Sequence, residues 1–113
     1  MTLDLASVPV IDRSLREELD MVGGPQLHPR LVGIFMEDVQ AMRTELDAAL
    51  HIEDAPAAKR IAHRVKGGAA AIGARRVAMV ASALESAARE GSLASAQALR
   101  PQLDVELDAL ARA

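Results

Sequence analysis

Apolar residues recur every three or four positions along most of the chain, which is the period of amphipathic helices. The clearest stripe predicts a helix from about Pro29 to Leu50, with a polar face opposite the apolar one. The members of this stripe are Leu31, Phe35, Val39, Met42, Leu46 and Leu50, with Ile34 and Ala49 beside them. Similar patterns precede and follow this segment, so further helices are expected on both sides of it.

A shorter helix is predicted before the long one. Asp12 is a suitable N-cap, because a carboxylate can accept a hydrogen bond from a free backbone N–H in the first turn. Leu15, Leu19 and Val22 follow with the spacing of one helix face. The sequence Gly-Gly-Pro at positions 23–25 then ends the helix.

The third helix is expected from about Ala55 to Ile72. Asp54 precedes Pro56, and an aspartate followed by a proline in the first turn is a common helix start. Gly73 has the position of a C-terminal stop, because glycine readily adopts the left-handed backbone conformation that ends many helices.

Two more helices complete the predicted set. The fourth ends at Gly91, and its inward-facing residues are Val77, Val80, Leu84 and Ala88. Ser92 is expected to cap the fifth, whose apolar residues are Leu93, Leu99, Leu103, Leu107 and Leu110. Pro101 lies inside this last pattern and is predicted to kink or split the helix, because proline removes one backbone hydrogen bond.

Short connections between long amphipathic helices predict an all-α fold, an antiparallel four-helix bundle with an additional short N-terminal helix. Residues 1–9 are expected to form an N-terminal lead-in or linker, and residues 10–113 the bundle itself. The composition agrees, because the strand-forming residues are scarce and Phe35 is the one aromatic side chain. A length of 113 residues suits a single domain.

Charge and composition exclude several classes of function. The formal net charge is −3, whereas general nucleic-acid binding needs a strongly basic face, and the aromatic side chains that stack on bases are missing. The chain has no cysteine, no apolar run approaching the roughly 20 residues that span a bilayer, and no signal-peptide pattern. We therefore expect a cytoplasmic domain without nucleic-acid or membrane contacts.

Three glycines stand close together in the segment AHRVKGGAAAIGARR, at positions 62 to 76. Glycine inside a helix costs about 1 kcal/mol relative to alanine, so the cluster needs a reason. Gly68 and Gly73 have the spacing of a phosphate-binding loop, but Ala74 and Arg75 occupy the places of the required Lys and Ser or Thr. No strand precedes the segment, and the GxGxxG pattern is absent, so both nucleotide-binding motifs are excluded.

The same segment contains a histidine that should point into solvent. Successive helix residues are rotated by about 100°, which places His63 almost opposite the centre of the core face of the third helix. The core-face residues are Ala58, Ile61, Val65, Gly68 and Ile72. His63 is therefore not expected to be a core histidine, although an exposed histidine is often an ordinary surface residue.

The neighbours of His63 favour a functional role. Lys59 lies one turn before it and Lys66 one turn after it, on nearly the same stripe. Gly67 follows at i+4 and Ala70 two turns on, so almost no side-chain bulk lies on the C-terminal side. Gly68 has a simpler explanation, because it lies on the core face and allows another helix to approach closely.

Glu85 is expected at the height of His63 if the third and fourth helices pack antiparallel about Gly73. A carboxylate there could accept a hydrogen bond from one imidazole nitrogen, fix the tautomer and leave the other nitrogen free as a nucleophile. The alternative is that Glu85 only pairs with Arg89 at i+4. The sequence alone favours neither of these two interpretations of Glu85.

These residues resemble those of a known family, the histidine phosphotransfer (HPt) domains of two-component phosphorelays. The matching residues are the run HRVKG at 63–67, IGA at 72–74 and LE at 84–85, and the segment LVGIFMEDVQAMRTELDAAL is similar to the family's second helix. The resemblance covers about residues 10 to 113. The pattern H-x-x-K-G with a glycine ten residues after the histidine is fairly specific in an all-helical chain.

The resemblance implies a role for each site residue. His63 would accept and donate a phosphoryl group through Nε2, Lys66 would help to neutralise it, and Gly67 would leave room for the partner's active site. Glu85 matches a position that often carries Gln or Glu and binds the histidine. Arg64 stands where many members have a smaller polar residue, which implies an influence on partner choice.

The implied partners are the receiver domains of response regulators. The residues expected to contact a partner are Lys59, Arg64 and Ala70. No cofactor of the chain's own is expected, since the receiver would bring the aspartate, the Mg²⁺ and a lysine. The protein is then a phosphorylated intermediate, expected as a monomer, more than an enzyme. The segment VPVIDRSLREEL also resembles the lead-in to HPt domains at the C-termini of hybrid sensor kinases, which implies an excised C-terminal domain with an upstream kinase.

Three other functions compete with phosphotransfer. The chain could be an interaction module whose helix face binds and regulates a non-receiver partner without phosphorylation of His63. The phosphoacceptor domain of a dimeric histidine kinase is disfavoured, because an acidic residue usually follows the histidine there and Arg64 follows it here. A metal site formed by His28, His51 and His63 is disfavoured because these residues fall on different elements without an i, i+4 ligand pair.

Overall fold

The apolar stripes all become helices in the computed structural model, which describes residues 2–113. The five helices are α1 (Arg13–Gly23), α2 (Leu27–His51), α3 (Ala55–Ala71), α4 (Arg75–Arg89) and α5 (Leu93–Arg112). No strand occurs within residues 2–113, so the all-helical prediction is confirmed. None of the helices in this range is long and apolar enough to cross a bilayer.

Most of the predicted start and stop signals operate as expected. The carboxylate of Asp12 accepts a hydrogen bond from the backbone N–H of Leu15 at 3.2 Å, which caps α1. Asp54 caps α3 in the same way through the N–H of Ala57 at 3.1 Å. Gly73 follows α3 with a φ of 70°, a conformation that side-chain-bearing residues rarely adopt.

Two proline positions differ from the prediction. The long helix α2 begins at Leu27, two residues before Pro29, because a proline in the first turn lacks only an N–H that would have no helical partner. Helix α5 runs unbroken through Pro101, so of the predicted kink or split, the split does not occur. Leucines buried on both sides of this exposed proline, Leu99 and Leu103, hold the helix in place.

Two further expectations need correction. Val22, placed on the apolar stripe of α1, is 84% exposed, because α1 lies against α2 and buries none of its residues fully. Ser92 stands at the N-cap of α5, but its hydroxyl donates to the Oγ of Ser95 at 2.8 Å and caps no backbone N–H.

The hydrophobic core lies between four helices that contact each other in a cycle. Helix α2 packs on α3 and α5, and α4 packs on the same two helices, while α1 lies against α2. The largest apolar side chains that are fully buried are Val39, Leu46, Val65, Val77, Val80, Leu84, Leu99, Leu103, Leu107 and Leu110. These residues come mostly from the predicted stripes, so the period of the sequence identifies the core.

The stretch before α1 lies against α4 and α5 without forming a helix. Leu5 is buried among the core residues. The side-chain amide of Gln102 donates to the carbonyl of Leu3 at 2.7 Å and accepts from its N–H at 2.8 Å. The guanidinium of Arg76 donates to the carbonyl of Val8 at 2.6 Å. This lead-in therefore packs on the helical domain through both its backbone and its side chains.

Candidate functional site

The exposed histidine lies in the middle of α3. Asp54 and Pro56 start this helix, and its small and β-branched residues, such as Ala62 and Val65, are buried against neighbouring helices. His63 lies on the opposite face, with 66% of its side chain exposed. The helical period therefore placed this imidazole in solvent correctly.

The short turn between α3 and α4 brings a carboxylate to this imidazole. Gly73 provides the left-handed residue of the turn, and α4 then runs back alongside α3. Oε2 of Glu85 lies 2.7 Å from Nδ1 of His63. Because a carboxylate only accepts, Nδ1 is the donor, and the hydrogen bond selects the tautomer that leaves the lone pair of the neutral ring on Nε2.

Glu85 is buried, with only 5% of its side chain exposed, yet it is surrounded by hydrogen-bond donors and cations. Nζ of Lys66 donates to Oε1 at 2.5 Å, and Nη2 of Arg89 lies 3.7 Å from Oε2. The hydrogen bond from Lys66 lowers the pKa of Glu85 most, burial acts in the opposite direction, and the hydrogen bond from His63 lowers it further. The carboxylate is therefore ionised at neutral pH.

The structure combines the two interpretations that the sequence left open for Glu85. The carboxylate contacts both His63 and Arg89, and the contact with the imidazole is shorter by 1 Å. Lys66 makes the shortest contact of the three, so its ammonium group is held beside the carboxylate. The lysine is thereby restrained next to the histidine by the same group that orients the ring.

The three glycines of this region have different structural environments. A Cβ atom added at Gly67 would meet nothing within 4 Å, so local packing does not require glycine there. A Cβ at Gly68 would lie 3.0 Å from two ring atoms of Phe35, which confirms that this glycine allows α2 to approach α3 closely. Gly73 is required by its positive φ.

A shallow cleft of about 550 Å³ adjoins the histidine. The residues that line it are Lys59, Arg60, His63, Arg64, Glu85 and Arg89. Arg64 reaches towards α2, where its guanidinium pairs with Glu45 at 3.3 Å. Ala70 is exposed two turns after the histidine and does not line the cleft. The predicted partner-contacting residues thus lie on both sides of His63.

Comparison with protein families and solved structures identifies this arrangement. The family model described as the Hpt domain matches residues 30–113, which is well over half of the chain. The protein is an Hpt domain. A comparison with curated protein sequences gave no match.

Two solved structures share the fold of this Hpt domain. The crystal structure of histidine-containing phosphotransfer protein B from Pseudomonas aeruginosa superposes with a TM-score of 0.83 and 33% identity, covering 91% of this chain and 89% of the other. A rice structure described as that of a histidine-containing phosphotransfer protein gives a TM-score of 0.80 at 18% identity, covering 94% and 79%. The family and the bacterial relative together give this domain a phosphotransfer role in phosphorelays.

Two cations of the Hpt site were not predicted as site residues. Arg60 lines the cleft three residues before His63, and Arg89 reaches Glu85 from the next turn of α4. Helical spacing could have identified both, because residues three or four apart share a helix face. From the sequence alone, Arg89 is identified only as a competing partner of Glu85.

The other two histidines lie apart from His63. His28 is buried at the start of α2, where its Nε2 donates to the carbonyl of Ile72 at 2.8 Å. His51 is the exposed last residue of α2. No group of three or more His, Cys, Asp or Glu side chains that could hold a metal ion occurs in residues 2–113.

Proposed function

We propose that His63 accepts a phosphoryl group from the aspartate of one receiver domain and passes it to another receiver domain. The observation that carries this proposal is the 2.7 Å hydrogen bond from Nδ1 of His63 to buried Glu85, which leaves Nε2 in solvent. An exposed imidazole with one nitrogen fixed by a carboxylate is an oriented nucleophile.

The transfer step needs no general base, because the attacking nitrogen carries no proton that must be removed. The lone pair of Nε2 attacks the phosphorus of the aspartyl phosphate, a P–N bond forms, and the bond from phosphorus to the aspartate oxygen breaks. The aspartate leaves as a carboxylate, and Nδ1 keeps its proton. The ring then carries a positive charge beside the ionised carboxylate of Glu85, which stabilises the phosphorylated form electrostatically.

Lys66 and Arg89 supply the positive charge that a phosphoryl group on Nε2 requires. Both are anchored on Glu85, and both side chains are partly exposed beside the histidine. A lysine is a flexible point charge, so Lys66 can contact the phosphoryl oxygens with a small movement of its stem. The receiver would supply the acceptor aspartate, the Mg²⁺ and its own lysine, and this domain would need no cofactor of its own.

The surface around His63 supports the docking of such a partner. Gly67 leaves open space one turn after the histidine, and Ala70 continues this surface of small side chains. Lys59 and Arg64 lie along the cleft on the other side. In this proposal all four residues contact the receiver, and the arginine influences which receiver binds.

The wider setting is also part of the proposal. The cyclic packing of α2 to α5 supports the antiparallel four-helix bundle expected from the sequence, with α1 as the additional helix. We place the domain in the cytoplasm as a monomer, with a hybrid sensor kinase upstream in the phosphorelay. The lead-in similarity supports an origin at the C-terminus of such a kinase.

Phosphorylation by a receiver tests this function directly. Incubation with a phosphorylated receiver domain should label the protein with an acid-labile, base-stable phosphate, and His63→Gln should abolish the label. His51→Gln is a matched control, because that histidine is also exposed, and it should leave the label intact. Labelling that persists in His63→Gln would contradict the proposal. Receiver binding without any labelling of the wild type would favour the interaction module instead.

A further inference from the structure

The cations around His63 are distributed unevenly along α3. Lys59 and Arg60 lie four and three residues before it, which is about 6 and 4.5 Å along the helix axis. Both side chains are exposed and line the cleft beside the histidine. Neither has a carboxylate within 4 Å among residues 2–113, unlike Arg64, Lys66 and Arg89. The N-terminal side of the site therefore carries unneutralised positive charge.

The surface of α3 on the C-terminal side of the histidine is uncharged and is formed by small residues. The exposed residues of α3 that follow on this face are Gly67, Ala70 and Ala71, none of which is larger than a methyl group. Lys66 points away from them to Glu85. Ile34 of α2 is 54% exposed and lies on the same helical stripe as Glu45, about three turns later, whose carboxylate pairs with Arg64 of α3. The C-terminal side therefore offers small residues and an apolar side chain.

The geometry points to a polarised docking surface that sets the orientation of the partner on α3. An acidic rim of the partner lies over Lys59 and Arg60, and an apolar part of it lies over Gly67, Ala70 and Ile34. The inference rests on the proposed function. It adds Arg60 and Ile34 to the residues that contact the partner, and it specifies how the partner is oriented along α3.

The chemistry of the reaction explains why the partner has such an acidic rim. A protein that exchanges a phosphoryl group on an aspartate with Mg²⁺ bound must gather carboxylates at its reaction centre, because oxygen ligands hold that ion. The unneutralised charges of Lys59 and Arg60 complement this cluster, although the net charge of the domain is −3. Charge complementarity of exposed groups acts mainly on the association rate and the orientation of the encounter.

The electrostatic half of the surface can be tested by charge reversal. The variant Lys59→Glu/Arg60→Glu is compared with the wild type in transfer from a phosphorylated receiver domain that labels the wild type. We expect kcat/KM to fall by roughly tenfold or more at low ionic strength, with a smaller difference at high ionic strength, because steering between exposed charges is screened by salt.

The control is Arg13→Glu/Arg112→Glu, which changes the net charge equally through exposed arginines of α1 and α5. This control should transfer within about twofold of the wild type at every salt concentration. Equal losses in both variants, or no loss in Lys59→Glu/Arg60→Glu, would overturn the polarised surface and leave the proposed function intact. Failure of every receiver to label the wild type would overturn both.

The orientation is tested with spin labels, because the chain has no cysteine of its own. A nitroxide is attached at Pro56→Cys, on the N-terminal side of His63, or at Ala71→Cys, on the C-terminal side. The first should broaden the NMR signals of the receiver's acidic rim, and the second those of its apolar surface. The reverse pattern, or equal broadening by both labels, would overturn the inferred orientation.

Discussion

Two clusters of charged side chains stabilise different faces of this domain, and they differ in their balance of charge. On the α2–α5 face, Arg100 bonds Asp47 and Asp104 at 2.6 and 2.8 Å, and Arg43 reaches Asp104 at 2.8 Å. Two cations therefore meet two anions. On the α3–α4 face, Glu85 alone receives His63, Lys66 and Arg89.

The balanced cluster has the properties of a structural link. The side chain of Arg100 is only 12% exposed. Burial is the strongest influence and acts to lower its pKa, but the hydrogen bonds and negative charges of Asp104 and Asp47 together outweigh burial and hold the pKa above its ordinary value. Each charge has a partner on the neighbouring helix or turn, so this network joins α2 to α5.

The unbalanced cluster leaves positive charge available. One buried carboxylate cannot neutralise a lysine and an arginine and also the positive ring that phosphorylation of the histidine would create. A dianionic phosphoryl group on Nε2 would restore the balance. The comparison teaches that the excess of cations over anions, and not the number of ion pairs, distinguishes a site that receives an anion from a network that holds helices together.

The largest effect is expected when the central carboxylate of each cluster is removed. Glu85→Ala should slow phosphotransfer by about 10- to 100-fold, the loss expected for a hydrogen bond to a charged group of about 1.5–3 kcal/mol. It should also mix the imidazole tautomers of His63, measured by ¹⁵N NMR. Asp104→Ala should instead lower the free energy of unfolding and leave transfer unchanged. If Glu85→Ala alters neither the tautomer nor the transfer rate, the unbalanced cluster is only structural.

A second prediction concerns the space beside the site. Gly67→Gln should raise the free energy of unfolding by up to about 1 kcal/mol, because glycine disfavours helices. It should slow transfer roughly tenfold, since an overpacked contact costs about 1–3 kcal/mol. Gly33→Gln is the control, because that glycine is also helical, exposed and without contacts within 4 Å of an added Cβ. Equal transfer rates in both variants would show that Gly67 does not provide access.

A smaller effect is expected for the charge of Lys66. Lys66→Ala should shorten the lifetime of phosphorylated His63 by several-fold, because a partly exposed charge contributes about 1 kcal/mol to binding an anion nearby. Lys66→Arg keeps the charge and should restore most of the lifetime. The decay of the label after removal of the receiver measures this. An unchanged lifetime in Lys66→Ala would limit the lysine to its contact with Glu85.

The smallest effect is a dependence of stability on acid pH. The folded state lowers the pKa of Glu85 below its ordinary value of 4.5. The resulting stabilisation is therefore complete above pH 4.5 and is lost as the pH falls through the lower folded-state pKa. The difference in unfolding free energy between the wild type and Glu85→Gln should shrink below that pH. Lys66→Ala should weaken this dependence, and a difference that grows on acidification would contradict it.

The local features of this protein follow from its sequence. The helical period predicted the exposure of His63, the burial of the leucine stripes and the close approach at Gly68, because side-chain direction repeats with the helix turn. Asp12, Asp54 and Gly73 set helix ends through bonds and backbone angles within a few residues. Such features depend on neighbours in the chain, so one sequence is enough to predict them.

Other features depend on contacts between distant segments. Only the packing of α4 on α3 decided that Glu85 binds His63, Lys66 and Arg89 together, because the distances between these side chains depend on how the two helices meet. Packing also kept α5 continuous through Pro101, where buried leucines outweigh one lost hydrogen bond. The sequence therefore determined which side chains face outward, and the tertiary structure decided which of them meet, since that depends on atoms far apart in the chain.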